Sequence, residues 1–186
     1  IAQYPGLYPQ AKPVALAMPM SEERSVLRTS LVPHLLDVIA YNRNRNLDDV
    51  AVFEIGKVFV TDEERLTTLP QEKLMLAIAW TGSRSPLHWD GKGEKVDFYD
   101  VKGVFEKLTS YLGIPAVRYV PAAPDGFHPG RTAEIRLEEG DGQRVAGRIG
   151  QLHPSLQQAR DLDETYVLEI ELAPLIERAS FRIEHR

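Results

Sequence analysis

The feature that most constrains this chain is a pair of alternating segments on either side of a short acidic, glycine-containing stretch. Thr132 to Leu137 alternates polar and apolar residues, Gln143 to Gly150 follows, and Glu138-Glu139-Gly140-Asp141-Gly142 lies between them. Period-two alternation gives a strand one buried face, and a tight link rich in Gly and Asp returns the chain antiparallel to itself. The remaining segments must therefore extend and cover an antiparallel sheet. Leu74 to Trp80 is almost continuously apolar, which predicts a central strand covered on both faces. Val50 to Val60 reads as a long strand, and Gly56 within it predicts a bulge, a bend or a close backbone approach. Val14 to Ala17 and Val117 to Val120 are shorter strand segments. Tyr166 to Leu172 is a last one, with Glu169 and Glu171 expected to face water.

Helical spacing appears in two longer places. Ser30 is placed to cap a helix with Pro33 in its first turn, where a missing N–H costs little, and Leu31, Leu35, Val38 and Ile39 form its apolar face, widened by Leu36. That helix is expected to end within Tyr41-Asn42-Arg43-Asn44-Arg45-Asn46. Asp97 caps a second helix running through Leu112, with Val101, Val104, Phe105, Leu108 and Leu112 as its stripe and Gly113 and Pro115 as its stop. Pro154 to Arg160, entered at His153, and Ala173 to Arg178 are short helical turns. Prolines at 5, 9 and 13 make the first thirteen residues irregular. The element order predicts the α+β class, an antiparallel sheet with its helices on one side, as a single domain over residues 1–186. The sequence opens on Ile1 rather than Met, so the chain is expected to be a piece excised from a longer polypeptide.

Chemistry is scarce at this level. The formal net charge of −5 argues against a dedicated nucleic-acid module, and the absence of cysteine excludes disulfides and thiolate metal sites. No apolar run approaches the length needed to span a bilayer. His34, His88, His128 and His153 lack metal-ligand spacing. The loop around His88-Trp89-Asp90 reads either as a ligand grip or as a loop pinned by a half-buried tryptophan. The pairs Glu22-Glu23, Asp48-Asp49 and Glu63-Glu64 read as solvated surface or helix starts. Asn42 to Asn46, with two arginines, reads either as a phosphate contact or as the polar end of a helix. The residues by themselves describe an α+β domain without a visible active site.

A resemblance adds to this. Met18-Pro19-Met20-Ser21-Glu22-Glu23-Arg24-Ser25-Val26-Leu27-Arg28-Thr29-Ser30-Leu31 resembles a segment of the bacterial phenylalanyl-tRNA synthetase β subunit, with Met18 where that family prefers Asn. Phe53-Glu54-Ile55-Gly56-Lys57-Val58-Phe59, Phe98-Tyr99-Asp100-Val101-Lys102-Gly103, Phe127-His128-Pro129-Gly130-Arg131-Thr132-Ala133 and Gly147-Arg148-Ile149-Gly150-Gln151-Leu152-His153-Pro154 follow in the family's order. The resemblance implies a class II aminoacyl-tRNA synthetase-like fold, an antiparallel sheet flanked by helices. It implies the core of a β subunit that is a duplicated copy without the chemistry, beside an α subunit that binds ATP and phenylalanine. The strand Phe53 to Val60 resembles the second class II motif but runs into Thr61-Asp62-Glu63-Glu64 without the motif's phosphate-binding arginine, and the third motif has no match. The first-motif helix, the editing domain and the anticodon-binding domain are expected outside these residues.

The expectation is therefore a non-catalytic structural module with no catalytic, cofactor-binding or metal-binding residue of its own. ATP and magnesium belong to the whole enzyme. The expected partner is the α subunit in a cytoplasmic (αβ)2 heterotetramer that handles tRNA. Arg28, Tyr41, Asn42, Arg43 and Arg45 are its candidate interface residues. The alternatives are a tRNA-contacting module using Arg43 and Arg45, and a domain that retains ATP binding.

Overall fold

Strand β4, Gln71–Thr81, organises the molecule because its side chains feed two separate cores. Met75, Ala77 and Ala79 point to one face and Leu76 to the other, each at most 4% exposed. A computed structural model gives this arrangement and describes residues 6–19, 25–85, 93–115, 117–140 and 142–180. The elements run β1 (Val14–Ala15), β2 (Val26–Leu27), α1 (Val32–Arg43), β3 (Val50–Val60), β4, α2 (Phe98–Tyr111), β5 (Arg118–Pro121), β6 (Phe127–Glu139), β7 (Gly142–Leu152), α3 (Pro154–Ala159), β8 (Thr165–Glu171) and α4 (Ala173–Ile176). Six strands form one sheet in the order β3-β4-β8-β7-β6-β5, and every neighbouring pair is antiparallel. β1 and β2 form a small separate ladder.

The hairpin expected at 132–150 is β6–β7, closed with Glu139 opposite Gly142. Gly140, at φ +56°, supplies the left-handed backbone that such a turn requires. The expectation that the helices share one side is corrected: α1 packs in the core with Met75 and Val167, whereas α2 packs in the other with Leu76, Leu168 and Ile170. A strand that is apolar on both faces has to be covered on both, and β4 and β8 are such strands. The helix faces shift accordingly. Val32 is buried in α1 and Val38 is exposed, while Thr109 is buried in α2 and Val104 is exposed.

Gly56 makes no bulge, since β3 pairs with β4 in unbroken register from Val50 opposite Thr81 to Val60 opposite Gln71. The glycine instead admits the Arg28 guanidinium, which lies where a Cβ would stand. α2 begins as expected: the Asp97 carboxylate accepts from the N–H groups of Tyr99 and Asp100, and Asp100 reciprocates to the Asp97 N–H. Asp97→Ala is expected to cost about 1 kcal/mol, read from the urea midpoint, because it orphans two of the helix's first donors. The stretch His88-Trp89-Asp90 lies outside the described residues.

Candidate functional site

The least expected chemistry sits on β8. Glu169 and Glu171 are not at the water surface; they are 2% and 4% exposed, a correction to the alternation read from the sequence. Thr165–Glu171 is buried at every residue, so both of its faces meet protein and the strand has no wet side. A buried carboxylate persists only where donors meet it. Glu169 accepts from the Leu7 N–H at 3.0 Å, the Leu31 N–H at 2.7 Å and the Ser30 hydroxyl at 2.9 Å. It thereby ties the chain entering at Gly6 and the start of α1 to the centre of the sheet. Burial pushes its carboxyl above the ordinary value of 4.5, against the pull of those hydrogen bonds and of Arg148.

Glu171 is met by three donors of a different kind. The Tyr8 hydroxyl donates to it at 2.9 Å, Lys73 Nζ lies 3.3 Å away, and Arg144 ion-pairs with it. Burial and the bond to Glu171 raise the Tyr8 phenol well above its ordinary range. Arg148, beside Glu169, donates to the Gly6 carbonyl at 2.7 Å. Lys73, Arg144 and Arg148 are thus bound to the chain's own acids and carbonyl. Other arginines are held the same way, Arg84 by Asp100 at 2.8 Å, Arg136 by Glu134 at 2.8 Å and Arg160 by Asp37 at 2.7 Å.

An open cleft of about 460 Å³ lies beside this cluster, between residues 7–11 and the β3–β4 connection. Its charged lining residues are Asp62 and Glu63, with no lysine or arginine. Glu63 accepts from the Thr67 N–H at 2.6 Å and from the Thr67 and Thr68 hydroxyls, which shapes the connection and holds its carboxyl below the ordinary range. Among the described residues, no group of three or more His, Asp or Glu side chains is placed to hold a metal ion, and no helix is long and apolar enough to cross a membrane. The described histidines do local work. His153 Nδ1 accepts from the Ser155 N–H at the entrance of α3, and His128 Nδ1 accepts from the Gly130 N–H.

Four of the five candidate interface residues come together at the end of α1. Tyr41 is 58% exposed, and the Arg45 guanidinium lies 3.5 Å from its ring centroid while donating to the Tyr41 carbonyl. Asn42 donates back to the Val38 carbonyl, and Arg43 Nη1 stands 3.1 Å from Asp163. Arg28 lies at the opposite end of the helix, bound to Glu54 at 2.6 Å and to the Lys57 carbonyl at 2.8 Å. Val38 and Leu47 are exposed near Tyr41, so this end of α1 offers apolar area together with a cation. Sequence reasoning missed the Glu169–Glu171 cluster. The signal was there: Val167 on one face and Leu168 and Ile170 on the other leave no wet side for the intervening acids.

Comparison with known proteins gives consistent likenesses. A family profile described as the phenylalanyl tRNA synthetase beta chain CLM domain matches residues 3–172. The phenylalanine–tRNA ligase beta subunit of Shouchella clausii is 47% identical over 165 residues, covering 88% of this chain and 20% of that protein. Those of Geobacillus kaustophilus (45% over 176 residues, 94% and 21%) and Bacillus subtilis (46% over 162 residues, 87% and 19%) are similar to it in the same way. The chain therefore spans about a fifth of the length of these relatives. Among solved structures, pyrrolysyl-tRNA synthetase from Desulfitobacterium hafniense superposes with a TM-score of 0.59 at 18% identity, over 89% of this chain and 52% of that one. This likeness bears on the fold, which is that of a class II synthetase core.

Proposed function

Because this chain belongs to the phenylalanyl-tRNA synthetase β-chain family, we propose that it is the non-catalytic, synthetase-like core of a phenylalanine–tRNA ligase β subunit. Its role is to support an α subunit that joins phenylalanine to tRNA with ATP and magnesium, within a cytoplasmic (αβ)2 assembly. One observation supports the non-catalytic reading above the others: the cations over the sheet already have partners within the chain. Phosphoryl transfer needs cations free to meet charge that develops at phosphorus. Here Lys73 and Arg144 are on Glu171, Arg148 is on Gly6, and the neighbouring cleft presents Asp62 and Glu63. These residues do not fit a nucleotide triphosphate.

The exposed end of α1 is the contact we assign to the α subunit. Tyr41 and Arg45 combine aromatic area with a cation, the composition that dominates subunit contacts. Arg43 and Arg28 already serve Asp163 and Glu54, so their truncation would disturb this chain as well as any contact. Tyr41→Ala with Arg45→Ala is expected to weaken co-purification of the α subunit about tenfold or more, as measured by titration on immobilised chain. Undiminished binding by the double variant removes this surface from the interface. Calorimetry of the chain with ATP and magnesium is expected to show no binding, and micromolar affinity would overturn the non-catalytic reading.

A further inference from the structure

Residues 6–11 lie across the sheet face that carries α1, yet they belong to no strand or helix. They run from β7, where Arg148 holds the Gly6 carbonyl, over the acids of β8 toward the end of β3. There the next residue is pinned: the Lys12 N–H donates to the Thr61 carbonyl at 2.8 Å, and Lys12 Nζ stands 3.5 Å from Glu64. Among the described residues, that is the one backbone-to-backbone bond between residues 6–12 and the rest of the chain. The other hydrogen bonds that leave the segment end on side chains, Leu7 on Glu169, Gly6 on Arg148 and Tyr8 on Glu171. Leu7 to Ala11 also form one wall of the open cleft beside those acids.

The acids divide their oxygens between this segment and the rest of the fold. Glu169 Oε1 takes the Ser30 hydroxyl and the Leu31 N–H at the start of α1, whereas Oε2 takes the Leu7 N–H. Glu171 holds Lys73 and Arg144 as well as Tyr8. Breaking a buried charge cluster is costly when it leaves a charge unpaired. Lifting residues 6–11 leaves none: Glu169 keeps its bonds to α1, Glu171 keeps its two cations, and Arg148 keeps Glu169 beside it. The released Leu7 N–H, Gly6 carbonyl and Tyr8 hydroxyl pass to water. What holds the segment down is chiefly the side chain of Leu7, 8% exposed in the core with α1. We propose that residues 6–11 are a strap that opens as a unit, hinged at Lys12, while α1 and the sheet stay folded, and that its opening extends the cleft onto Glu169 and Glu171. The opened cleft is then floored by ion pairs rather than by stripped charge. The strap is a property of these contacts and does not depend on the assignment of α1 to the α subunit.

The test is hydrogen exchange of the whole chain, followed amide by amide by NMR. Leu7 and Leu31 are an internal pair, because their N–H groups are bonded to the same carboxylate. A strap that opens alone is expected to leave Leu7 at least about a hundredfold less protected than Leu31, after correction for intrinsic rates. Low urea should lower the protection of Leu31 and leave that of Leu7 nearly unchanged, because lifting a strap exposes far less surface than unfolding does. Tyr8→Phe removes one of the strap's bonds to a charged group and leaves Lys73 and Arg144 on Glu171. It is expected to lower the protection of Leu7 about tenfold further and to leave Leu31 as it was. Equal protection and equal urea dependence at the two amides overturn the proposal, as does a Tyr8→Phe effect that falls on both alike.

Discussion

Replacing Glu169 by alanine is expected to destabilise the chain by about 3–5 kcal/mol, because it strands buried donors that nothing else can reach. The Leu7 and Leu31 N–H groups lose their acceptor, and the Ser30 hydroxyl loses its partner. Arg148 loses the opposite charge beside it. The loss is to be read from urea denaturation, with protection of the Leu7 and Leu31 amides from hydrogen exchange as the local probe. Glu169→Gln keeps one acceptor oxygen but turns an NH2 toward other donors, so it should fall between the parent and Glu169→Ala. The pH dependence has a definite sign. Burial raises the folded-state pKa above the ordinary 4.5, so the folded chain holds this proton more tightly than the unfolded chain does. That contribution is fully present below pH 4.5 and is lost as the pH rises through the raised value. The stability of the parent relative to Glu169→Gln should therefore fall on going from acid toward neutral pH. A flat difference, or a loss under 1 kcal/mol for Glu169→Ala, would show that water reaches the cluster.

Phe105→Ala should have a loss of similar size, about 3–5 kcal/mol, by a different route. Phe105 is fully buried in the core between α2 and the sheet, with Leu168, Ile170 and Ile135 in the same cluster. Removing the ring loses its transfer free energy and leaves a cavity in a face built from rigid strands, which relax poorly. Val104, one position earlier and 45% exposed, is the internal control, and its alanine variant should lie within about 0.5 kcal/mol of the parent. Equal effects at the two positions would mean that the second core is not the one described.

Much of this fold was legible in the residues because its signals are local. The period-two alternation and the glycine turn set the β6–β7 hairpin, Asp97 with Asp100 set the start of α2, and His153 with Pro154 set α3. The family motifs were also in the order of residues, and they led to the same reading as the comparisons. The errors arose where one strand's environment depends on what lies above and below it. Glu169 and Glu171 alternate with Leu168 and Ile170, and alternation in isolation means a wet face. Here that face is closed by the segment Gly6–Tyr8 and by the start of α1, which meet β8 from more than a hundred residues away in the chain. The helix faces shifted for the same cause, since Val38 and Val104 are apolar at helical spacing yet stand outside.

The sequence by itself determined most of the elements, the antiparallel pairing of the main sheet and the family, because propensity, turn chemistry and motif order are properties of neighbouring residues; the short strand β2 and its ladder with β1 were not read from it. Only the tertiary structure decided that the helices lie on opposite faces, and that two glutamates are buried and bound to Tyr8, Lys73 and Arg144. The physical reason is that burial and charge pairing are set by which distant segments share a space, and the free energy of a buried carboxylate depends on donors that a linear pattern does not place.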